Sequence, residues 1–240
     1  MLPTPADPLP VIQRGRQIIR EQCHRAKDGI MGIIASKRTQ PAPPAAVAKE
    51  DGLGHVVALG AGCYWGTEKY IRKEFTKRFP GSIKRTRVGF MCPEAQPRFR
   101  KPSYKDVCTG RTGHVEVLRV ELHDPAVHFE ELIRFFFMFH DPTTRNRQGN
   151  DRGSQYASFI FCQDEVQAAI ATHVRDELQQ LLEARAIRAY AGSKVTTSIV
   201  PLREFTPAHE PHQRYLEKNP NGYCNHRLRF KRWPMLLDEK

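Results

Sequence analysis

Cys63 lies in Gly62-Cys63-Tyr64-Trp65-Gly66, between an apolar run that reads as a strand and a segment with helical spacing. A cysteine at the start of a helix meets unpaired backbone N–H groups and the positive end of the helix dipole. Both stabilise a thiolate, the nucleophilic form of the side chain. The glycines allow a tight turn and leave the sulfur approachable. Tyr64 and Trp65 would shape an apolar pocket beside it. The same five residues also fit a small cysteine packed among core aromatics, and the local pattern alone does not separate the two. Near the other end of the chain, His209, His212, Cys224 and His226 offer a His-x-x-His and a Cys-x-His. Their spacing is loose for a structural zinc site, so a metal centre is a rival reading only.

The elements around Cys63 follow from periodicity. Val56–Leu59 reads as a buried strand, and Thr67–Arg78 as a helix with Tyr70, Ile71, Phe75 and Phe79 near one face. Ile83–Phe90 is a strand, and Met91–Ser103 a polar loop with three prolines. His114–Leu122 alternates as a strand should, which puts Glu116 on one face with Leu118, Val120 and Leu122. Asp124-Pro125 opens a helix that runs to Phe139, and a polar loop, 140–155, follows. Tyr156–Cys162 is a strand, Glu165–Ala186 a long helix and Val195–Val200 a Thr- and Val-rich strand. This order predicts an α+β fold: a two-layer sandwich with a ferredoxin-like kernel, a mixed sheet and an irregular C-terminal tail.

Three regions are expected. Residues 1–54 form an extension with a Pro/Ala linker, 55–205 the catalytic domain, and 206–240 a tail lying on the surface. The extension opens on prolines where a secretory signal would have its apolar stretch, and six cysteines in 240 residues are too few for a disulfide scaffold. A reducing, cytoplasmic setting is expected; an Arg-rich stretch in the extension leaves a mitochondrial or other organellar address as the alternative. No apolar run approaches the roughly 18 to 20 residues that would span a bilayer, so no membrane partner is expected. The formal charge of +12 comes from Lys and Arg scattered along the chain, with one cluster at Arg227, Arg229, Lys231 and Arg232. Scattered charge without a recognition motif implies no specific nucleic-acid partner.

Residues 62–68, Gly-Cys-Tyr-Trp-Gly-Thr-Glu, closely resemble the Gly-Cys-Phe-Trp-Gly motif of the A-type peptide methionine sulfoxide reductases. Tyr104-Lys-Asp-Val-Cys-Thr-Gly-Arg-Thr-Gly-His-Val-Glu116 is similar to that family's second motif. His140-Asp-Pro-Thr with Arg147-Gln-Gly-Asn-Asp-Arg-Gly-Ser-Gln-Tyr156 resembles the third, and His212-Gln-Arg-Tyr-Leu-Glu-Lys-Asn-Pro-Asn-Gly-Tyr-Cys224 the C-terminal one. Four motifs in order make chance a poor explanation.

The resemblance implies roles for individual residues. Cys63 would attack the sulfoxide sulfur and become a sulfenic acid. Glu116 would be the general acid, its neutral form favoured by apolar neighbours. Tyr104 and Tyr156 would hydrogen-bond the sulfoxide oxygen, Asp151 would orient the substrate, and Tyr64 and Trp65 would hold its methyl group. Cys224 would resolve the sulfenic acid as a Cys63–Cys224 disulfide, and thioredoxin or another dithiol would reduce it. The implied enzyme uses no metal or cofactor. It acts, as a monomer, on the S epimer of free methionine sulfoxide or of oxidised proteins. A fold relative without activity, serving as an interaction protein, is the alternative.

This chain departs from the pattern at three places. Tyr64 stands where the family usually has Phe, and its extra hydroxyl must reach a partner. Relatives continue Val-Gly-Tyr-Ala-Gly-Gly where this chain has Val88-Gly-Phe-Met-Cys-Pro, which introduces Cys92. No second recycling cysteine follows Cys224, so Cys92 or Cys23 is left as a candidate for that part; Cys108 and Cys162 read as structural.

Overall fold

The computed structural model describes residues 53–234. The expectations for residues 1–52, Cys23 among them, lie outside the described residues. Strand β1 (Val56–Ala61) leads to helix α1 (Tyr64–Lys69), which continues without a break through a π-helical stretch, Tyr70–Phe75, and a last turn, Thr76–Arg78. β2 (Ile83–Met91) follows, then α2 (Tyr104–Cys108), β3 (Val115–Leu122) and α3 (Pro125–Phe139). The hairpin β4–β5 (Arg147–Gln148 and Asp151–Arg152) precedes β6 (Ser158–Cys162), α4 (Glu165–Glu183), β7 (Ser198–Pro201), β8 (Phe205–Pro207) and α5 (Tyr215–Lys218).

Six strands form one sheet in the order β7-β6-β1-β3-β2-β8. Only the β6–β7 pair is parallel, so the sheet is mixed and the fold is α+β. Caps fix the two long helices, the first as its Asp-Pro start predicts. The Asp124 carboxylate accepts from Val127 N ahead of Pro125, and Asp164 from Gln167 N at 2.8 Å. Along β3, Glu116, Leu118, Val120 and Leu122 are all buried on one face. Val115 and Val117, on the other, join Ala58, Met91 and Phe161 in a second cluster, with Phe159, Val200, Leu202 and Phe205 half-buried around it.

Several boundaries differ from expectation. Helix α1 starts three residues early, at Tyr64, because Cys63 (φ −55°, ψ 122°) leaves helical geometry and becomes its N-cap. α2 was not expected; a reciprocal capping box between Ser103 and Asp106 nucleates it. Tyr156 ends a 3-10 turn (Ser154–Tyr156) rather than starting β6. α4 ends at Glu183, and Arg185 beyond it has positive φ (56°), which a helix cannot continue. The stretch after Phe205 is irregular for most of its length, yet it does more than lie on the surface. β8 pairs with β2, and Gln213, Leu216 and His226 are buried. The Gln213 side chain imitates a strand: its Oε1 accepts from Val88 N at 2.9 Å and its Nε2 donates to Val88 O at 2.8 Å.

Candidate active site

Gly62, at φ 90°, turns the chain from β1 into α1, and its missing side chain leaves room for Gln148. Cys63 follows at 8% exposure, with the N–H groups of Trp65 and Gly66 directed at its sulfur. Those donors favour the thiolate, as the helix-start argument expects, but they do not win. Burial, then the neighbouring Glu116 carboxylate, push the thiol far above its ordinary range. The resting side chain is therefore a thiol, and the repulsion from Glu116 eases only when that carboxyl is neutral.

Glu116 meets that condition. Its side chain is 3% exposed, and Oε2 accepts one hydrogen bond, from Tyr64 N at 3.1 Å. Burial outweighs that bond and pushes the carboxyl up to about 8. A charge on Glu116 also raises Tyr64, Tyr104 and Tyr156, after the larger effect of their own burial, and a charge on Cys63 raises the same three phenols. The five groups therefore share one poorly solvated site. β1 and α1 supply Cys63, β3 supplies Glu116, the capped α2 supplies Tyr104, and the 3-10 turn supplies Tyr156. Cys108, which the sequence suggested was structural, is exposed, and its sulfur interacts with the Tyr104 hydroxyl. Cys92 and Cys162 are buried.

An aromatic wall stands beside the thiol. The Trp65 ring stacks on Tyr215 at 3.9 Å between centroids, and His212 lies nearly parallel to it at 5.7 Å. Tyr64 packs on Phe90, and its hydroxyl shares a hydrogen bond with His212 Nδ1 at 3.0 Å. That bond supplies the partner this hydroxyl requires.

Asp151 sits on the β4–β5 hairpin, and burial raises its carboxyl. The residues flanking Cys224 occupy both of its oxygens: Tyr223 OH donates to Oδ1 at 3.0 Å and Asn225 Nδ2 to Oδ2 at 2.6 Å. Cys224 itself is half-buried and, like the buried Cys63, a free thiol. Two of the three histidines of the rival metal reading have other partners. His212 is bonded to Tyr64, and His226 Nε2 lies 2.6 Å from Ala61 O. Among the described residues no cluster of His, Cys, Asp and Glu could hold a metal ion, and no helix is long and apolar enough to cross a membrane.

Sequence reasoning missed Glu68, Tyr215, Tyr223, Asn225 and the part played by His212. Glu68, on α1, is 2% exposed and accepts from Arg214 N at 2.7 Å, which ties α5 and its Tyr215 to the Trp65 wall. The one signal for it was its place five residues after Cys63 in the first motif.

A buried thiol at a helix start, a protonatable carboxyl and two phenols on an α+β frame define a cysteine-dependent enzyme acting on an oxygen that must be protonated. Comparison with known proteins narrows the class. The family model for peptide methionine sulfoxide reductase matches residues 55–238. A probable peptide methionine sulfoxide reductase of Schizosaccharomyces pombe is 38% identical over 179 residues, covering 74% of this chain and 96% of that protein. The MsrA of Agrobacterium fabrum is 43% identical over 175 residues, 72% of this chain and 74% of its own. Among solved structures, reduced Mxr1 from Saccharomyces cerevisiae is similar with a TM-score of 0.62 and 35% identity, covering 76% of this chain and 96% of Mxr1. The chain belongs to the peptide methionine sulfoxide reductase family, and its activity is thiol-dependent reduction of methionine sulfoxide, a repair reaction.

Proposed function

We propose that Cys63 is the nucleophile, Glu116 the proton donor and Cys224 the resolving thiol of this reaction. The observation that carries the reading is the Glu116 carboxyl, buried beside the Cys63 turn and protonated up to about pH 8. With Glu116 neutral, the larger of the two carboxylate charges that oppose a Cys63 thiolate is gone, Asp151 being the other, and the Trp65 and Gly66 N–H groups work against the burial that remains. The sulfur attacks the sulfoxide sulfur while Glu116 gives its proton to the oxygen; the hydroxyl then passes to the Cys63 sulfur as the new S–S bond breaks and the thioether leaves. Tyr104 and Tyr156 donate to that oxygen as charge develops on it. Thiol plus sulfoxide become sulfenic acid plus methionine. The Cys224 thiol then attacks the sulfenic sulfur, the S–S bond forms, the S–O bond breaks and water leaves. Exchange with a dithiol returns both thiols.

Tyr64 and Trp65 form the methyl pocket, with Tyr215 and His212 bracing it, and Asp151 orients the substrate. We assign thioredoxin, or another dithiol, as the reductant, and the S epimer, free or in oxidised proteins, as the substrate. The β6-β1-β3-β2 order, antiparallel throughout, supports a ferredoxin-like kernel in a two-layer sandwich. The division at residues 55–205 and 206–240 is one of role, reacting groups against the resolving thiol, since Gly54–Lys240 forms one compact unit; residues 1–54 are read as an extension. A monomer in a reducing compartment completes the reading.

A methionine-sulfoxide peptide incubated with enzyme and dithiothreitol tests it by mass spectrometry. Wild type should remove one oxygen, about 16 Da. Cys63→Ser should remove none, and Cys224→Ser without reductant should yield one methionine per enzyme and a stable sulfenic acid. A wild type that leaves the peptide oxidised would establish the inactive interaction protein instead.

A further inference from the structure

We infer that His226 is a positioning residue for the resolving step, one that docks Cys224 against the Cys63 turn. This inference rests on Cys224 being the resolving thiol. His226 is 7% exposed, and its ring fills the space left by Gly66, where any Cβ would collide with the imidazole. Tyr70 and Phe139 line the rest of its seat, with ring centroids at 6.3 and 5.6 Å. A carbonyl oxygen only accepts, so at 2.6 Å from Ala61 O the Nε2 atom must carry the proton. Nδ1 is left buried with no partner. The backbone is pinned as well: Tyr70 OH donates to His226 O at 3.2 Å, and Asn225 Nδ2 to Gln148 O at 2.6 Å.

Packing alone does not account for this arrangement. An orphaned buried nitrogen is unfavourable, and a phenyl ring would fill the same seat without it. What the imidazole adds is one directed bond to the Ala61 carbonyl. Ala61 lies two residues before Cys63, and Cys224 two residues before His226. The bond therefore joins the two segments at equal chain distance from both cysteines, within about 7 Å of extended chain on each side. A disulfide needs Cα atoms within about 7 Å of each other, so a fixed anchor this close limits how far Cys224 can stray. Burial, which keeps the ring neutral down to about pH 4, preserves the Nδ1-bare, Nε2-protonated form.

His226→Phe keeps the ring over Gly66 and removes the bond; His226→Gln restores a donor. In single turnover without reductant, both should release one methionine per enzyme within about threefold of the wild-type rate, because the packing over Gly66 and the Cys63, Glu116, Tyr104 and Tyr156 side chains are kept. Formation of the Cys63–Cys224 disulfide, followed by acid quench and thiol-labelling mass spectrometry, should slow at least about tenfold in His226→Phe and recover to within about threefold in His226→Gln. Dimedone-reactive sulfenic acid should accumulate in His226→Phe alone. Disulfide formation at the wild-type rate in His226→Phe would overturn the inference. Failure of wild type itself to form the disulfide would instead overturn the assignment of Cys224.

Discussion

On the proposed mechanism Glu116 sets the pH dependence of the reaction. It must hold a proton to donate one, and burial raises its carboxyl to about 8. The protonated form therefore prevails through neutrality and is lost as pH rises past that value. Cys63 ionises higher still, so its thiolate fraction grows with pH throughout this range and supplies a rising limb. kcat/KM should rise with pH up to about 8 and level off above it, where each further gain in thiolate is offset by loss of the Glu116 proton, and Glu116→Gln should cut it by about 10²- to 10⁴-fold and remove the levelling. A steady-state pH profile measures both; a wild-type rate that keeps climbing through pH 9 would remove Glu116 from the role. Cys63 and Glu116 were singled out in the sequence through the family motifs that contain them; the glycine-flanked turn and the strand alternation alone left both roles open. The role of His226 was not legible. Its seat over Gly66 and its bond to Ala61, 165 residues back, exist only once the chain has folded.

Helix α2 has five residues, too few to hold its shape by propagation, so the capping box carries it. Ser103 Oγ accepts from Asp106 N, and Asp106 Oδ2 accepts from Ser103 N at 2.8 Å. Tyr104 is the first helical residue, and its phenol lies 4.5 Å from the His212 ring between centroids. Ser103→Ala should cost about 1 kcal/mol of local stability, expressed in the placement of Tyr104 rather than in the core. The expected result is a several-fold lower kcat with a thermal midpoint within about 2 °C of wild type. An unchanged kcat would show that the loop, not the cap, places Tyr104. The long elements were legible because their periods repeat several times. α2 and β8 were not, because five and three residues carry no period; the first needed its Ser-x-x-Asp cap to be read, and the second depends on pairing with β2.

Across the whole molecule, the C-terminal basic cluster shows how net charge misleads about partners. In the sequence Arg229 counts toward the +12. In the fold it turns inward: its Nη1 lies 3.3 Å from Asp141 Oδ2 and donates to Ala189 O at 3.0 Å, with side chains only 10% and 6% exposed. Arg229 N donates to Met138 O, and Trp233 Nε1 to Glu177 Oε1, so the chain beyond Cys224 is fastened to α3 and α4. Asp141 also accepts from Thr143 N and Ala191 N, which hold it in place whether or not its cation is present. Arg229→Met should therefore strand a buried carboxylate and cost about 3–5 kcal/mol, a fall of roughly 6 to 20 °C in thermal midpoint for a protein of this size. Adding Asp141→Asn should recover part of that loss, because the asparagine needs no cation, and the double variant should be more stable than the two single losses summed. Additive losses in urea denaturation would mean that the two side chains act independently and that the strap is held by its backbone and Trp233 alone.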